Sequence, residues 1–113
     1  MSCIFCRVVS GEIPSRMVYE DEEVYAFHDI NPQAPTHVLV IPKRHIEKLS
    51  DMSENDLPLM GKLLHTAKKV AESLDIHNDG FRLVINNGAN AHQTVFHLHV
   101  HVLGGRRFTW PPG

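Results

Sequence analysis

Cysteine is scarce in this sequence, long apolar runs are absent, and neither sign of charge dominates. Two cysteines only three positions apart, Cys3 and Cys6, are a poor disulfide framework for a secreted protein. No apolar stretch is long enough to span a bilayer, and the N-terminal segment lacks the pattern of a signal peptide. Eleven basic residues against thirteen acidic ones give a formal charge of −2, which does not indicate a nucleic-acid partner. We therefore expect a cytoplasmic protein with neither nucleic acid nor membrane as a partner.

The length of 113 residues, of which 42% are hydrophobic, suits one domain with a real core. The chain has no internal repeat and no linker-like stretch, so we expect a single domain over residues 1–113. Five segments have the composition and alternation of strands, and a short helix or turn precedes them. The predicted strands cover residues 17–20, 23–30, 36–45, 80–87 and 95–103, and the short N-terminal helix or turn covers residues 3–9.

One long segment has helical periodicity instead. Its apolar residues recur at steps of three and four, at Leu57, Met60, Leu64, Ala67, Val70 or Ala71, and Leu74. Ser53 and Asp56 have the spacing of a capping box, and the helix is expected to end near Asp75. The combination predicts an α+β domain: a five-stranded antiparallel sheet with one long helix packed on a face. Because such a sheet leaves an edge or a face exposed, we also expect the chain to form a dimer.

Histidine is abundant, with nine residues, and three of them alternate in FHLHVHVL at positions 96–103. Since side chains alternate across a strand, His97, His99 and His101 are predicted to point to one side. The intervening residues are predicted to point into the core: Phe96, Leu98, Val100 and Val102. Three imidazoles on one surface are close enough to share a ligand, a proton or a metal.

Three interpretations of this histidine strand are open. The imidazoles could be ordinary hydrogen-bonded residues, although burying them together requires partners for six ring nitrogens. They could bind a metal, but the strand itself supplies no carboxylate. They could also catalyse directly, because neutral histidine is a good nucleophile towards phosphorus. Direct catalysis also needs a phosphate pocket beside the strand. The preceding segment NNGANAHQTVFH fits this need, because Gly88 lets the backbone approach closely while Gln93 and Thr94 offer neutral donors for phosphate oxygens.

The run from His97 to Leu103 resembles the H-φ-H-φ-H-φ-φ signature of the histidine-triad (HIT) superfamily. AFHDINPQAPTHVLVIPKRHI at positions 26–46 resembles the strand-loop-strand that lines the family's nucleoside pocket. GGRRFTWPPG at the C-terminus is similar to the tail of the nucleotide-binding phosphoramidase branch. The resemblance covers nearly the whole chain in order and spacing, and it implies a single HIT domain with the HIT-like fold.

The resemblance implies a catalytic role for four histidines. His99 matches the nucleophile that attacks the α-phosphate and becomes transiently nucleotidylated. His97 would orient it or relay a proton, and His101 would hydrogen-bond phosphate and leaving-group oxygens. His37 matches a fourth histidine near this network. Water would then release the mononucleotide, and no cofactor is required for catalysis.

The nucleotide contacts are likewise carried over by position. Asp29 matches the residue that binds the ribose hydroxyls, although an Asp there could also be an ordinary turn residue. Asn86 matches a contact on the phosphate or ribose side, and Gln93 with Thr94 matches the phosphate-contacting pair, with Thr in place of the usual Ser. His92 stands where the branch often has Gly, which affects the shape of the phosphate loop. The base slot is implied at Phe5, Val8, Phe27, His28 and Ile30, where the same residue types would serve a core equally well.

Residues 104–113 form a tail that Pro111 and Pro112 prevent from continuing a central strand. Trp110 in this tail could cap a hydrophobic patch of its own chain. The resemblance instead implies that the tail crosses the axis of a homodimer and contributes Trp110 to the partner's substrate pocket.

The pair Cys3 and Cys6 has the C-x₂-C spacing of half a structural zinc site, but two buried free thiols would show the same spacing. Some histidine-triad proteins complete such a site with residues that match His45 and His97 here. The branch with the WPPG tail often lacks both cysteines. A structural zinc and a metal-free protein are therefore both open.

The function that the resemblance implies is hydrolysis of the P–N bond of purine nucleoside 5′-phosphoramidates and related adenylates, with release of AMP or GMP. Alternatives are a dinucleoside-polyphosphate hydrolase, a nucleotidyltransferase and a nucleotide-binding interaction protein whose catalysis is incidental. A metal-dependent hydrolase that uses the three histidines as ligands is a further alternative.

Overall fold

Five strands pair in the order β1-β2-β3-β5-β4, and every neighbouring pair is antiparallel in the computed structural model, which describes residues 3–113. The short helix α1 lies on one face of this sheet and the long helix α2 on the other. The predicted fold class, with its long helix and short N-terminal helix, is confirmed. The elements are α1 (Ile4–Val9), β1 (Met17–Glu20), β2 (Val24–His28), β3 (Thr36–Pro42), α2 (Leu57–Ser73), β4 (Phe81–Val84) and β5 (Val100–Gly104).

The central strand β3 separates two hydrophobic cores because its side chains alternate between the faces. Val38 and Val40 pack into the core under α2, and both are fully buried. Leu39 and Ile41 pack on the opposite face, against Phe5 of α1. Both faces of this strand are therefore apolar, and the face that carries Leu39 and Ile41 packs against α1.

The helix α2 begins after a short 3₁₀ turn that the predicted capping box closes. The hydroxyl of Ser53 accepts from the backbone of Asn55, and a carboxylate oxygen of Asp56 accepts from the backbone of Ser53 at 2.9 Å. The predicted apolar stripe is shifted by one residue in its first half, since Leu64 is 48% exposed whereas Leu63 is buried. Successive helical residues are about 100° apart around the axis, so these two leucines cannot both face the sheet. Leu57, at the start of the predicted stripe, is also exposed.

The strand β5 begins later than the predicted strand over residues 95–103. Residues 95–97 form a bend, and Phe96 is 43% exposed, so the prediction of Phe96 as a core residue is wrong. The backbone of Leu98 donates to the carbonyl of Ile46 at 2.7 Å, which holds this segment beside the chain that follows β3. His97 and His99 therefore precede the regular ladder, where strict alternation does not apply.

Within residues 3–113, no helix combines the length and apolarity that crossing a bilayer demands.

Candidate active site

A cavity of about 600 Å³ opens between α1 and the sheet, next to the histidine segment. It brings together side chains from α1, the end of β2, the start of β3 and the residues before and within β5. Ten predicted site residues line it: Phe5, Val8, Phe27, His28, Asp29, Ile30, His37, Thr94, His99 and His101.

One end of the cavity is apolar. The ring of Phe5 packs edge-on against Phe27, with the centroids 5.5 Å apart, and Val8 and Leu39 complete the wall. Flat apolar walls of this kind suit a planar aromatic group such as a nucleobase. Ile30 is 97% exposed beside this end, and it is the most exposed large apolar side chain recorded in the described chain.

His99 is held with one ring nitrogen free. Its Nδ1 lies 2.7 Å from the carbonyl oxygen of His97, which can only accept, so Nδ1 carries the proton. Burial lowers the pKa of His99 below its ordinary value, and the ring is neutral near pH 7. The ring of Phe5 packs edge-on against it at 5.2 Å and fixes its plane. Nε2 of His99 therefore keeps its lone pair.

A chain of hydrogen bonds fixes the protons on the next two histidines. The backbone N–H of Gln33 donates to Nδ1 of His37 at 3.0 Å, so His37 carries its proton on Nε2. That Nε2 lies 2.9 Å from Nδ1 of His101 and donates to it. His101 then carries its own proton on Nε2. Burial, and the neighbouring His99 and His37, lower the pKa of His101 to about 4, so this ring is neutral as well.

The N–H of His101 has no partner. Among residues 3–113, its Nε2 is the one buried side-chain nitrogen or oxygen without a hydrogen bond. Leaving a buried donor unsatisfied is unfavourable unless a ligand supplies the acceptor. His101 lines the cavity and its ring lies 4.9 Å from that of His99. The site therefore combines a free lone pair on His99 with a buried, unpartnered N–H on the neighbouring ring of His101.

Asp29 lies at the end of β2, next to His37. Its Oδ2 is 3.5 Å from Nε2 of His37, while its Oδ1 accepts from the backbone of Asn31 at 2.8 Å. The backbone of Asp29 donates to the carbonyl of His37, which ties the end of β2 to the start of β3. Asp29 also lines the cavity, so its carboxylate can accept hydrogen bonds from hydroxyl groups of a ligand there.

The loop before β5 is braced by Gln93, which is 4% exposed. Its side-chain oxygen accepts from the backbone of Gly88, and its amide donates to the carbonyls of Glu47 and Val95. Gln93 is thus committed to holding this loop, whereas Thr94 and the exposed His92 line the cavity. Of the other predicted contacts, Asn86 is half-buried and does not line this cavity.

The tail folds back over β4 without reaching its own cavity. Phe108 lies between the guanidinium groups of Arg82 and Arg106, at 5.0 and 4.2 Å, and Arg82 donates to the carbonyl of Thr109. Trp110, which follows, is 81% exposed in the single chain.

A second cluster joins the two cysteines to two histidines at one end of the histidine segment. Cys3, at the N-cap of α1, lies with its sulfur 3.3 Å from Nδ1 of His97, and the sulfur of Cys6 lies 3.5 Å from the same nitrogen. Nδ1 of His45 is 3.4 Å from the sulfur of Cys6 and 3.3 Å from Nδ1 of His97. The four donor atoms all lie within 4.8 Å of one another.

These distances fit a tetrahedral zinc ion. Bond lengths of about 2.3 Å to sulfur and about 2.05 Å to nitrogen imply sulfur–nitrogen separations near 3.5 Å and nitrogen–nitrogen separations near 3.3 Å. The carbonyl of Pro42 lies 2.8 Å from Nε2 of the fully buried His97, so Nδ1 is the nitrogen with a lone pair. Burial and the neighbouring Cys3 raise the pKa of the Cys6 thiol to about 11, so metal binding must displace its proton.

Sequence reasoning missed the groups that fix the protons. The N–H of Gln33 and the carbonyls of Pro42 and His97 are backbone groups, which every residue carries, so no sequence signal could have identified them. Leu39, Asn31 and Gln33 also line the cavity; they lie in the segment 26–46 that the resemblance assigned to the nucleoside pocket, but none of them was singled out as a site residue.

Comparisons with known proteins agree with this fold. A family model described as HIT domain matches residues 10–108. An uncharacterized HIT-like protein of Synechocystis is 57% identical over 110 residues, which are 97% of this chain and 96% of that protein. A protein of Zea mays named 14 kDa zinc-binding protein is 51% identical over 97% of this chain and 87% of its own length. The crystal structure of a HIT family hydrolase from Legionella pneumophila superimposes with a TM-score of 0.97 at 47% identity, over 99% of this chain and all of that one.

Proposed function

This chain belongs to the HIT domain family, and we propose that it hydrolyses the P–N bond of purine nucleoside 5′-phosphoramidates through a covalent nucleotidyl-histidine intermediate. The observation that carries the proposal is the free Nε2 of His99 beside the buried, unpartnered N–H of His101, in two residues that line the cavity. A family neighbour described as a hydrolase supports the reaction class. AMP or GMP would be released.

The cavity orients the nucleotide across the histidines. The base lies between Phe5, Val8 and Phe27 at the apolar end, flanked by His28 and Ile30. The ribose hydroxyls donate to the carboxylate of Asp29. The α-phosphate then meets the histidines, with Thr94 and the loop braced by Gln93 beside it. Asn86, which the resemblance places on the phosphate or ribose side, lies outside the lining of this cavity.

Attack proceeds from the lone pair on Nε2 of His99. A bond forms between this nitrogen and phosphorus, the P–N bond of the substrate breaks, and the leaving nitrogen keeps the electron pair and takes a proton from solvent. Water next attacks phosphorus, the Nε2–P bond breaks with its electron pair returning to the imidazole, and the proton of the water returns to solvent. The N–H of His101 donates to a phosphate oxygen in both steps.

The chain from Gln33 through His37 keeps His101 in the required tautomer. His97 acts indirectly, because its carbonyl oxygen accepts from Nδ1 of His99 while its ring belongs to the cysteine cluster. The catalytic set is therefore His99 and His101, with His37 and His97 positioning them. No cofactor takes part in the chemistry.

We propose further that Cys3, Cys6, His45 and His97 bind one structural zinc ion. Four protein ligands leave no open position, so the ion would contribute folding energy rather than chemistry. It would tie α1, which carries Phe5, to the segment that carries His99. The zinc-binding name of the Zea mays relative supports this assignment.

We also propose that the protein acts in the cytoplasm as a homodimer, in which residues 104–113 reach the partner's cavity. The 81% exposure of Trp110 and its place beyond Phe108 support a role outside its own chain.

The test is intact-protein mass spectrometry after rapid, acid-free quenching of a reaction with adenosine 5′-phosphoramidate in EDTA. Wild type should show a transient adduct of one AMP, and His99→Ala should show none. His65→Ala, which changes an exposed histidine on α2, is the matched control and should form the adduct. Absence of both adduct and AMP release from wild type would contradict the proposal and favour a nucleotide-binding interaction protein.

A further inference from the structure

One ionisable side chain on the cavity is not used by the proposed chemistry. The cavity is lined by six ionisable side chains: His28, Asp29, His37, His92, His99 and His101. Of these, His92 is exposed and the others are buried or half-buried. It therefore combines access to solvent with a place on the wall of the nucleotide site.

The loop that carries His92 is held firmly. The backbone N–H of His92 donates to the carbonyl of Ala89 at 3.0 Å, and the backbone N–H of Gln93 donates to the carbonyl of Gly88. The side chain of Gln93 makes three further hydrogen bonds that hold the loop. His92 has φ +65° and ψ +37°, a left-handed conformation that a non-glycine residue adopts infrequently. The backbone hydrogen bonds and the braced loop therefore fix the backbone position from which the His92 side chain reaches the cavity.

In the proposed binding mode, His92 belongs to the loop that lies beside the α-phosphate. The base and ribose contacts come from α1 and β2, whereas His92 and Thr94 reach the cavity from the loop before β5. Displacement at phosphorus puts the leaving group opposite the attacking nitrogen, so it departs from buried His99 towards the open side of the cavity. The exposed His92 lies on the cavity wall and is free to meet it there.

We propose that His92 is a specificity-determining residue that selects leaving groups with a negative charge, such as amines that carry a carboxylate. The inference rests on the proposed function, since it names the substrate class of the same site. An imidazole N–H donates to a carboxylate whether or not the ring is charged, and the protonated ring adds an ion pair. The amine leaves with the electron pair of the P–N bond as described above, and its carboxylate stays paired with His92 until release.

The experiment compares two substrates that differ in one charge: the adenosine 5′-phosphoramidates of glycine and of glycinamide. The measured quantity is the ratio of their kcat/KM values, in which any general effect of a variant on folding cancels. We expect wild type to prefer the glycine compound, and His92→Gly to lower the ratio about threefold or more, the size of one exposed ion pair. The left-handed backbone suits glycine, so the loop keeps its conformation.

Two further variants separate charge from shape. His92→Asn tolerates the left-handed conformation and keeps a neutral N–H donor but no charge, so its ratio should fall below that of wild type and stay at or above that of His92→Gly. His92→Lys supplies a positive charge and should restore the ratio. An unchanged ratio in His92→Gly and His92→Asn would overturn the role of His92 while leaving the proposed hydrolase in place. Failure of wild type to release AMP from either compound would overturn both.

Discussion

The two ends of the histidine segment, His97 and His101, are the same residue type in contrasting environments. At one end, the ring of His97 is fully buried among two sulfurs and His45, and its free nitrogen points into that cluster. At the other end, the ring of His101 receives its hydrogen bond from His37 and keeps a buried N–H without a partner, in a residue that lines the cavity. The first arrangement is closed by protein atoms, and the second is complete only with a ligand.

The difference shows that the role of each imidazole depends on which of its two ring nitrogens is already hydrogen-bonded to a neighbouring group. The carbonyl of Pro42 takes the Nε2 proton of His97, which leaves Nδ1 for the sulfur cluster. The donor N–H of Gln33 acts through His37 to put the proton of His101 on Nε2. His99 lies between the two ends, and its reactive nitrogen is set by the carbonyl of His97.

The largest effect is expected for His99→Ala, which removes the residue common to both ends. We expect kcat for adenosine 5′-phosphoramidate to fall by roughly 10³-fold or more, as for loss of a covalent nucleophile. Binding of AMP, measured by titration calorimetry, should be largely retained because the base and ribose contacts remain. A variant that keeps more than a tenth of wild-type turnover, an effect below about 1.4 kcal/mol, would exclude His99 as the nucleophile.

Removing a ligand from the cysteine–histidine cluster should lower the stability of the protein more than it lowers the rate of the reaction. Cys6→Ser removes one of the four donor atoms, and we expect bound zinc, measured by mass spectrometry under native conditions, to fall from one per chain to nearly none. Zinc at about 100 times its dissociation constant adds about 2.7 kcal/mol of stability, so the melting temperature should fall by about 10 °C. Ser50→Ala, at an exposed surface position, is the control. Equal zinc content in Cys6→Ser and wild type would contradict the metal assignment.

Removing the hydrogen bond from His37 to His101 should lower the rate of the reaction and have less effect on zinc binding. His37→Ala removes the donor to Nδ1 of His101, so the tautomer of His101 is no longer fixed. We expect kcat to fall about 10- to 100-fold, the usual cost of removing a residue that orients an imidazole. Zinc content should stay at the wild-type value. Loss of zinc in this variant would mean that the two ends are not independent.

Acid stability should also depend on the buried ring of His101. The pKa of His101 is lowered to about 4 in the folded protein, whereas in the unfolded chain it is near 6.5. Above pH 6.5 the ring is neutral in both states and contributes nothing to the pH dependence. As pH falls from 6.5 towards 4, the unfolded state binds the proton first and the free energy of unfolding decreases, by at most about 3 kcal/mol from this residue.

The measurement is urea unfolding between pH 7 and pH 4 for wild type and His101→Gln. The variant lacks this titrating group, so its stability should decline less steeply over the same range. Equal slopes in the two proteins would show that burial of His101 does not depress its pKa in solution.

Much of the fold was predictable because period-two and period-3.6 patterns follow directly from backbone geometry. All five strands and the helix α2 lie within or close to the predicted segments. The errors fall where tertiary contacts overrule the pattern. Phe96 is exposed because the chain bends before β5 begins, and Leu63 rather than Leu64 packs on the sheet.

The sequence by itself determined the inventory of the site: three alternating histidines, the pair Cys3 and Cys6, and a family resemblance that assigns them roles. Only the tertiary structure decided which nitrogen of each ring is free. That choice is made by the N–H of Gln33 and the carbonyls of Pro42 and His97, two of which come from distant parts of the chain. Backbone donors and acceptors are the same at every such residue, so they acquire a chemical role only when folding places them against a particular side chain.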